Sequence, residues 1–483
     1  MIHSSRRAQA ERAQSQAVVR EVPWPLPLGG LYSDARNSEI SGSLAEVMNN
    51  WKSNGISLEM RDGFTLQESN TVIQRVGYEF GANPSYIDIY SDKIVIAGST
   101  LAGTFASDFS HTTLSSNVML ADGVNPVLRC NGAQTIDAEI TSDTGKASSE
   151  FDGLFSHHDR LYAWDSDELA FYYGAVGEVT GELTRFPLDR LGNISGTIKI
   201  MHSLTYDAKH GMNDILVIIT STGWIILYEG LDPGDSNDWR LMGRVKTAAP
   251  VSKFAIESFG ADLWVLTVRG VVSVKDSLAK GALALTSRIS QPIADLIIAD
   301  INAGKTLSGW QMVARPDGTD VLLNVPTGTG YKQYVFTMEI GAWSTSDYQA
   351  RWWHDDFERL EFTDPTGNLK RVEVGDDGGQ DITAIFYTSW VRIPRYSEIA
   401  YMIPTIIADS ELVVKITVLT DHNKTPDDIT EATQTITIKP DTPGSEVSLD
   451  EIIAINAIGR VFQARFEISG KNLSFENLVV GLV

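Results

Sequence analysis

From about residue 90 onward the chain alternates short apolar runs with polar turns, and no long amphipathic stretch breaks the rhythm. A unit recurs: an acidic residue, a short apolar strand, a turn, then usually a second apolar strand. It reads Asp92-Lys-Ile-Val-Ile, Asp159-Arg-Leu-Tyr-Ala, Asp214-Ile-Leu-Val-Ile, Asp262-Leu-Trp-Val-Leu and Asp320-Val-Leu-Leu-Asn, at intervals of 67, 55, 48 and 58 positions. Turns such as Ser221-Thr-Gly223 and Arg269-Gly270 lead into Trp224-Ile-Ile-Leu-Tyr and Val271-Val-Ser-Val. Runs of this length bounded by Gly, Asn and Asp are strand signals, and a four-stranded propeller blade takes roughly 40–50 residues. The pattern predicts an all-β, multi-bladed β-propeller of six or so irregular blades, each burying both faces against its neighbours. A pair of β-sandwiches also gives many short strands and stands as the alternative.

The rhythm divides the chain. Residues 1–22 read as an N-terminal arm, ended by Pro23, Pro25 and Pro27. Residues 23–70 read as an extended entry segment, with one short helix over Ser43–Trp51 turned on Leu44, Val47, Met48 and Trp51. Residues 71–393 make the propeller. Within it Pro292–Asn302 places Ile293, Leu296, Ile297 and Ile301 on one helical face, with Pro292 suited to the first turn and Gly304 to the stop. Residues 394–483 form an additional C-terminal β-domain, with strands at Leu412–Leu419, Thr433–Ile438 and Val461–Ile468.

Composition narrows the chemistry. Of 483 residues, 43% are apolar and 40 are glycine, enough for a large core with many tight turns. Lys plus Arg number 39 against 62 Asp plus Glu, a formal charge of −23. That excess opposes tight binding to nucleic acid, which depends on cationic neutralisation of phosphate. It suits a conduit, because an acidic wall repels phosphate. The single Cys130 excludes an internal disulfide and fits assembly in a reducing cytoplasm. No apolar run reaches the ~18 residues of a spanning helix, so no membrane insertion is expected, and the start lacks the apolar core of a secretion signal.

The candidate sites each carry a plain reading beside a functional one. Asp92, Asp159, Asp214, Asp262 and Asp320 suit turns, where a carboxylate accepts backbone amides; the functional alternative is an acidic channel lining. Ala299–Thr306 (ADINAGKT) has the loose form of a phosphate loop, but its first half reads as helix and its flanks lack the required strand. Asp232-Pro-Gly-Asp235-Ser-Asn-Asp238 spaces three carboxylates as a Ca²⁺ loop would, without the Gly and final Glu of an EF-hand; Asp376-Asp377-Gly-Gly is weaker. His157 and His158, adjacent on a strand, point to opposite faces and read as turn-flanking. Thr141–Gly145 resembles half of a sialidase-type Asp turn. The tryptophans, among them Trp51, Trp164, Trp224, Trp239, Trp264, Trp310, Trp343, Trp352, Trp353 and Trp390, alternate with apolar neighbours as core residues do rather than as sugar platforms. No hydrolase elbow, zinc helix or cysteine pair is present. No catalytic residue, cofactor or metal is expected.

Four stretches carry a resemblance. The first is Pro27-Leu-Gly-Gly-Leu31, continued by Asn49-Asn50-Trp51 and Gly55–Gly63; the second is Ala121–Pro126 (ADGVNP). The third is Asp152–Leu188, with Phe155, Arg160-Leu-Tyr162, Gly174–Gly177 and Thr184–Leu188. The fourth is Asp207–Val251, with Asp214–Thr220, Tyr228-Glu-Gly230 and Ala248–Val251. Together they resemble the tail nozzle proteins of short-tailed bacteriophages, the family that includes the packaged-DNA-stabilising tail hubs. The resemblance covers the chain to about residue 345.

It implies a structural, non-enzymatic virion protein, assembled in the bacterial cytoplasm into the tail. A ring, expected to be a hexamer, would continue the DNA channel below the head-to-tail adaptor, retain packaged DNA and let duplex pass during ejection without specific binding. Partners would be other copies, the adaptor, tail fibres or tailspikes, and a plug. Arg6, Arg7, Arg12 and Arg20 would then dock the arm onto an acidic adaptor or neighbour. The rival is a glycan-binding or glycan-cleaving propeller, which requires two converging carboxylates.

Overall fold

In the computed structural model the described residues are 19–33, 42–69, 71–80, 83–105, 108–207, 212–280, 288–356, 359–422, 433–439 and 446–483. They are overwhelmingly strand and fall into two compact units. One comprises Met1–Thr65, Phe336–Ser346 and Glu373–Val483; the other comprises Leu66–Val335 and Asp347–Val372.

The second unit is the propeller. Its first blade runs Val72–Phe80, Asn83–Tyr90, Lys93–Ile96 and Ser99–Ala102, each strand antiparallel to the last. The second is Ser110–Leu114, Asn117–Ala121, Leu128–Cys130 and Thr135–Asp137. The third, Gly153–His157, Arg160–Trp164, Ala170–Val176 and Gly181–Pro187, gains a parallel outer strand, Ile140–Ser142. The fourth is Ile198–Asp207, Met212–Thr220, Trp224–Glu229 and Arg240–Lys246. The fifth has three strands, Ile256–Phe259, Asp262–Thr267 and Gly270–Ser273, and continues into the short helix Val274–Lys280. The last separate blade is Trp352–Asp356, Arg359–Thr363 and Leu369–Glu373, with Gly63–Glu68 as its outer strand. Between the fifth and last of these six sheets, Gln311–Ala314, Asp320–Pro326 and Tyr331–Thr337 take a further blade position. Gln311–Ala314 packs beside Ile256–Phe259 on one side and Trp352–Asp356 on the other.

The expected all-β propeller is therefore present. The recurring Asp unit marks the second strand of successive blades at Asp159, Asp214, Asp262 and Asp320. The long first interval has a structural cause: Asp92 precedes a third strand, and the second blade starts its second strand with Asn117 after a Ser115-Ser116 turn. The helix expected over Pro292–Asn302 is Ala294–Gly304, entered through a single turn at Gln291–Ile293.

The core of the propeller lies between blades. Val76, Ile87, Ile89, Ile94 and Ile96 of the first blade meet Val118, Leu120 and Leu128 of the second. Leu216, Ile218 and Ile226 of the fourth meet Tyr162, Trp164 and Phe171 of the third. This explains strands that are apolar on both faces.

The first strand of each blade has a different problem. It is the inner edge of its sheet, with backbone groups that no strand pairs, and buried amides must be satisfied. Polar side chains from the preceding blade supply the partners. Gln74 accepts from the Phe109 amide (2.8 Å) and donates to the Phe109 carbonyl (3.0 Å). Ser110 does the same for Leu154, at 3.1 and 3.3 Å. Thr112 accepts from the Ser156 amide (2.9 Å), and Gln311 brackets Trp353 at 2.8 and 2.7 Å.

The first unit is a sheet built on two 18-residue strands, Val391–Ala408 and Ile453–Gly470. Ile382–Thr388, Leu412–Thr420 and Ser474–Leu482 pair with them. Here the expectation of a helix over Ser43–Trp51 is overturned. Ala45–Asn49 and Trp51–Ser53 are strands, the former antiparallel to residues of Ile382–Thr388. The apolar positions do have helical spacing, but Trp51 is drawn into an aromatic cluster with Phe386, Phe466 and Phe475, and that long-range packing decides the local structure. Asn50, at φ 60°, lets the chain turn between the two strands. The division also differs from the sequence boundaries: residues 373–393 and 336–346 belong to the unit of the C-terminal strands, where Ile382–Thr388 pairs with Ile453–Gly470 and Thr345 pairs with Asn49.

If edge satisfaction holds the blades in order, Gln74→Leu, which keeps volume but strands two buried groups of Phe109, should destabilise the protein by about 2–4 kcal/mol. A urea unfolding midpoint equal to that of the parent protein would refute the role.

Candidate functional site

The five repeated aspartates differ in burial. Asp92 and Asp159 are exposed at hairpin turns; Asp214 and Asp262 are partly buried; Asp320 is 1% exposed. Asp262 shows the local use of such a carboxylate: it accepts from the amides of Leu263 (2.8 Å) and Lys275 (2.9 Å) and from the Ser273 hydroxyl (2.5 Å). His158 and Asp159, at φ 47° and 56°, form the tight two-residue turn of a hairpin closed by His157 and Arg160. Arg6, Arg7 and Arg12 lie outside the described residues. Arg20 begins the strand Arg20–Pro23, antiparallel to the C-terminal strand, with its side chain exposed.

The other sequence candidates resolve into local structure. Lys305 follows the C-terminal end of the helix Ala294–Gly304, whereas phosphate binding uses a helix N-terminus. Asp238 accepts from the amides of Leu231 and Asp232, Asp232 from Gly234, and Asp235 from Asn237. Those carboxylates are turn caps, and Asp232 also pairs with Arg160 at 3.2 Å. Among the described residues no three His, Cys, Asp or Glu side chains are grouped to share a metal. Asp143 accepts from the Arg185 amide. Trp51, Trp164, Trp239, Trp264, Trp310, Trp343, Trp352 and Trp353 are buried; only Trp224 and Trp390 of those named are half-buried.

The most constructed polar region is the seam between the first and last blades. Arg75, buried in the inner strand of the first blade, holds Asp88 with two hydrogen bonds (2.5 and 2.9 Å) and Glu68 at 3.2 Å. Glu361, fully buried, receives Arg371 (2.6 and 2.7 Å), His354 Nε2 (3.0 Å) and, at 3.7 Å, Arg75. Burial alone raises the Glu361 carboxyl pKa, but these hydrogen bonds outweigh it and hold the group below the usual range. Arg351 adds bonds to the Ile73 carbonyl (2.5 Å) and to Asp108 (3.1 Å).

Beside this seam a cavity of about 250 Å³ is lined by Arg75, His111, Glu257, Gln311, Arg315 and His354, all from inner strands or the turns that follow them. Its lining is of mixed charge, not a row of aspartates. Gln74-Arg75 interrupts the apolar start of its strand, but nothing in the sequence ties that pair to Glu361.

A second polar knot joins Asn50, Arg61 and Asp377. Asn50 Oδ1 accepts from Arg61 Nε (2.8 Å), and Arg61 makes paired bonds to Asp377 at 2.9 and 2.7 Å. Asn50 Nδ2 donates to the Thr383 carbonyl at 2.8 Å. Gly63 has no room for a side chain, since a Cβ would lie 2.0 Å from the Asp376 carbonyl.

No family model and no curated protein matches the chain. Solved structures do. BBS1N, in its complex with ARL6DN, is 8% identical over 65% of this chain and 98% of that chain, with a TM-score of 0.38. Raptor from Chaetomium thermophilum is 11% identical over 66% of this chain and 29% of its own, at 0.37. YCF48 from Cyanidioschyzon merolae is 13% identical over 64% and 98%, at 0.36. At these values none bears on function.

One buried titratable group gives a measurable signature. His157, bonded through Nδ1 to Ser203 at 2.7 Å, has its pKa lowered by burial, and secondarily by His158, to about 4. A histidine with a depressed folded pKa binds fewer protons than the unfolded chain does, so its contribution is complete above about 6.5 and is lost as pH falls towards 4. Relative to the parent, His157→Gln should lose less thermal stability between pH 7 and pH 4.5, by several degrees. Parallel melting curves across that window would contradict this assignment.

Proposed function

We propose that this protein is a structural part of a virus particle: the tail nozzle, or hub, of a short-tailed bacteriophage, acting as an interaction ring and DNA conduit rather than as an enzyme. The observation that carries the reading is where the family-like residues lie. Pro27–Leu31, Asn49–Trp51 and Gly55–Gly63 all fall in the unit that carries the C-terminal strands. There they occupy positions with little freedom. The Leu31 amide donates to the Trp343 carbonyl (2.6 Å), Asn50 and Arg61 are buried and bonded to each other, and Gly63 tolerates no side chain. Residues under such constraint are those a shared architecture keeps, which supports kinship with the nozzle family over coincidence.

The charge supports the same reading. A formal charge of −23 per chain disfavours adhesion of duplex DNA and so suits passage. Copies would assemble below the head-to-tail adaptor, hold packaged DNA behind a plug, and open when fibres or tailspikes engage the host. Sixfold symmetry is part of the proposal. The glycan reading gains little support, because most tryptophans that would stack on sugars are core residues.

The test is direct. The purified full chain, viewed by negative-stain electron microscopy, should give rings with an open or plugged centre, and mass photometry should show a species of about six chain masses. Particles that remain single at micromolar concentration, together with release of reducing sugar from host polysaccharide, would replace the nozzle with the carbohydrate-active alternative.

A further inference from the structure

In this acidic chain many arginines are matched: Arg61, Arg75, Arg185, Arg240 and Arg371 each hold a carboxylate. Arg392, Arg395 and Arg460 hold none among the described residues, and all three are exposed. The strand register places all three at one irregularity between two strands. Arg392 pairs with Val461 and Ser397 with Gly459, so the four residues Ile393–Tyr396 stand opposite Arg460 alone. Such a bulge bends its strand and re-aims the extra residues. Tyr396 is consequently 64% exposed, and Ile458, one residue beyond Gly459, is 52% exposed.

Two acids adjoin the bulge, Asp421 beside Arg460 and Glu398 opposite Ile458, so three guanidinium groups stand against two carboxylates. Asp421 spends one carboxylate oxygen on the backbone amides of Arg460 (2.9 Å) and Val461 (3.1 Å), fixing the strand rather than a guanidinium.

We infer that this bulge is a docking knob for a second copy of the chain. Arginine and tyrosine around an exposed aliphatic side chain is the composition of a protein interface core. The complementary charge is supplied by the chain itself, with 62 acidic against 39 basic residues. Duplex DNA fits less well, since affinity for it grows with the number of phosphates neutralised and three guanidinium groups on a chain of charge −23 neutralise few. A knob meeting a different surface of the next copy makes a heterologous contact, the kind that closes into rings. The propeller surface offers a matching receiver, a depression of about 390 Å³ near exposed Leu231, where Glu182, Asp235 and Tyr173 surround the Arg160–Asp232 ion pair and leave acid in excess. The inference rests on the ring-forming reading above and names the contact through which the ring closes.

The experiment compares the full-length parent with Arg392→Glu/Arg395→Glu by mass photometry at physiological salt, with melting temperature as the control for folding. The charge-reversed chain should remain folded and need at least tenfold higher concentration to assemble. In a second measurement, carbodiimide should join Arg395→Lys to a carboxylate peptide of another copy, expected to be one carrying Glu182 or Asp235. Unchanged assembly of the charge-reversed chain would overturn this inference and leave the ring intact; a parent that never assembles would overturn both. Loss of DNA binding with assembly preserved would assign the knob to phosphate instead.

Discussion

A propeller blade has an inner strand with no strand beyond it, and most of this molecule's sequence choices follow from that single unpaired edge. Neighbouring blades diverge from the axis, so their inner strands cannot form a ladder with one another. The buried amides and carbonyls on that side still need partners, and leaving one bare costs about 1–3 kcal/mol while making its bond gains less. The chain answers with short polar side chains on the inner strands. A carboxamide is well suited because it carries a donor and an acceptor at one tip, and Gln74 and Gln311 use both on a single residue of the next blade. Ser110 manages the same with one hydroxyl. Apolar packing between blades supplies adhesion without direction; these bonds supply direction, and thereby set which residue of one blade sits beside which of the next.

Closing the circle raises the same problem in a harder form, because the first and last blades come from distant parts of the chain. The Val72 amide reaches the Gly367 carbonyl at 3.1 Å, and Thr363 and Arg351 both reach the Ile73 carbonyl. Around them lies a set of buried charges in which Glu361 serves Arg371 and His354, while Arg75 serves Asp88 and Glu68. Buried ion pairs contribute little net stability against an apolar replacement, yet removing one member is expensive because it strands the rest. Such a seam is therefore suited to specifying one closure among several: a blade out of place would leave charges unmatched.

What the sequence reveals and conceals follows the same physics. Second strands are legible, because each is flanked by strands on both sides and reads as a continuous apolar run after an acidic or amide turn residue. The inner strands are not, since their polar bridging residues break the pattern: Val-Ile-Gln-Arg-Val at 72–76 and Ser-His-Thr-Thr-Leu at 110–114 look like loops or surface. Leu44, Val47, Met48 and Trp51 mislead for the opposite reason, since apolar spacing of a helical kind arises where a strand turns at Asn50 and resumes. Of the candidate sites, the capping role of Asp262 was readable from residue type alone. The Arg75–Glu361 seam and the Arg392–Arg460 bulge were not, because each joins positions whose proximity is set by register over long separations.

The acidity itself has two causes that act through the same atoms. Many carboxylates are present because turns need acceptors: Asp122 takes the amides of Val124 and Asn125, Asp317 that of Thr319, and Asp364 those of Thr366 and Asn368. A turn-rich propeller accumulates negative charge as its turns are capped. The capping geometry also holds that charge in place. Burial pushes the Asp364 carboxyl up, but its hydrogen bonds from Thr366 and Asn368, with Lys370, bring it down to about 2. Asp238, capped by two amides, is likewise held low. Asp364 and Asp238 therefore stay ionised below the usual carboxylate range, and the negative field they contribute lasts as long as their turns do. At these two turns fold and field are maintained by one set of bonds, so the charge cannot be shed without loosening the turn.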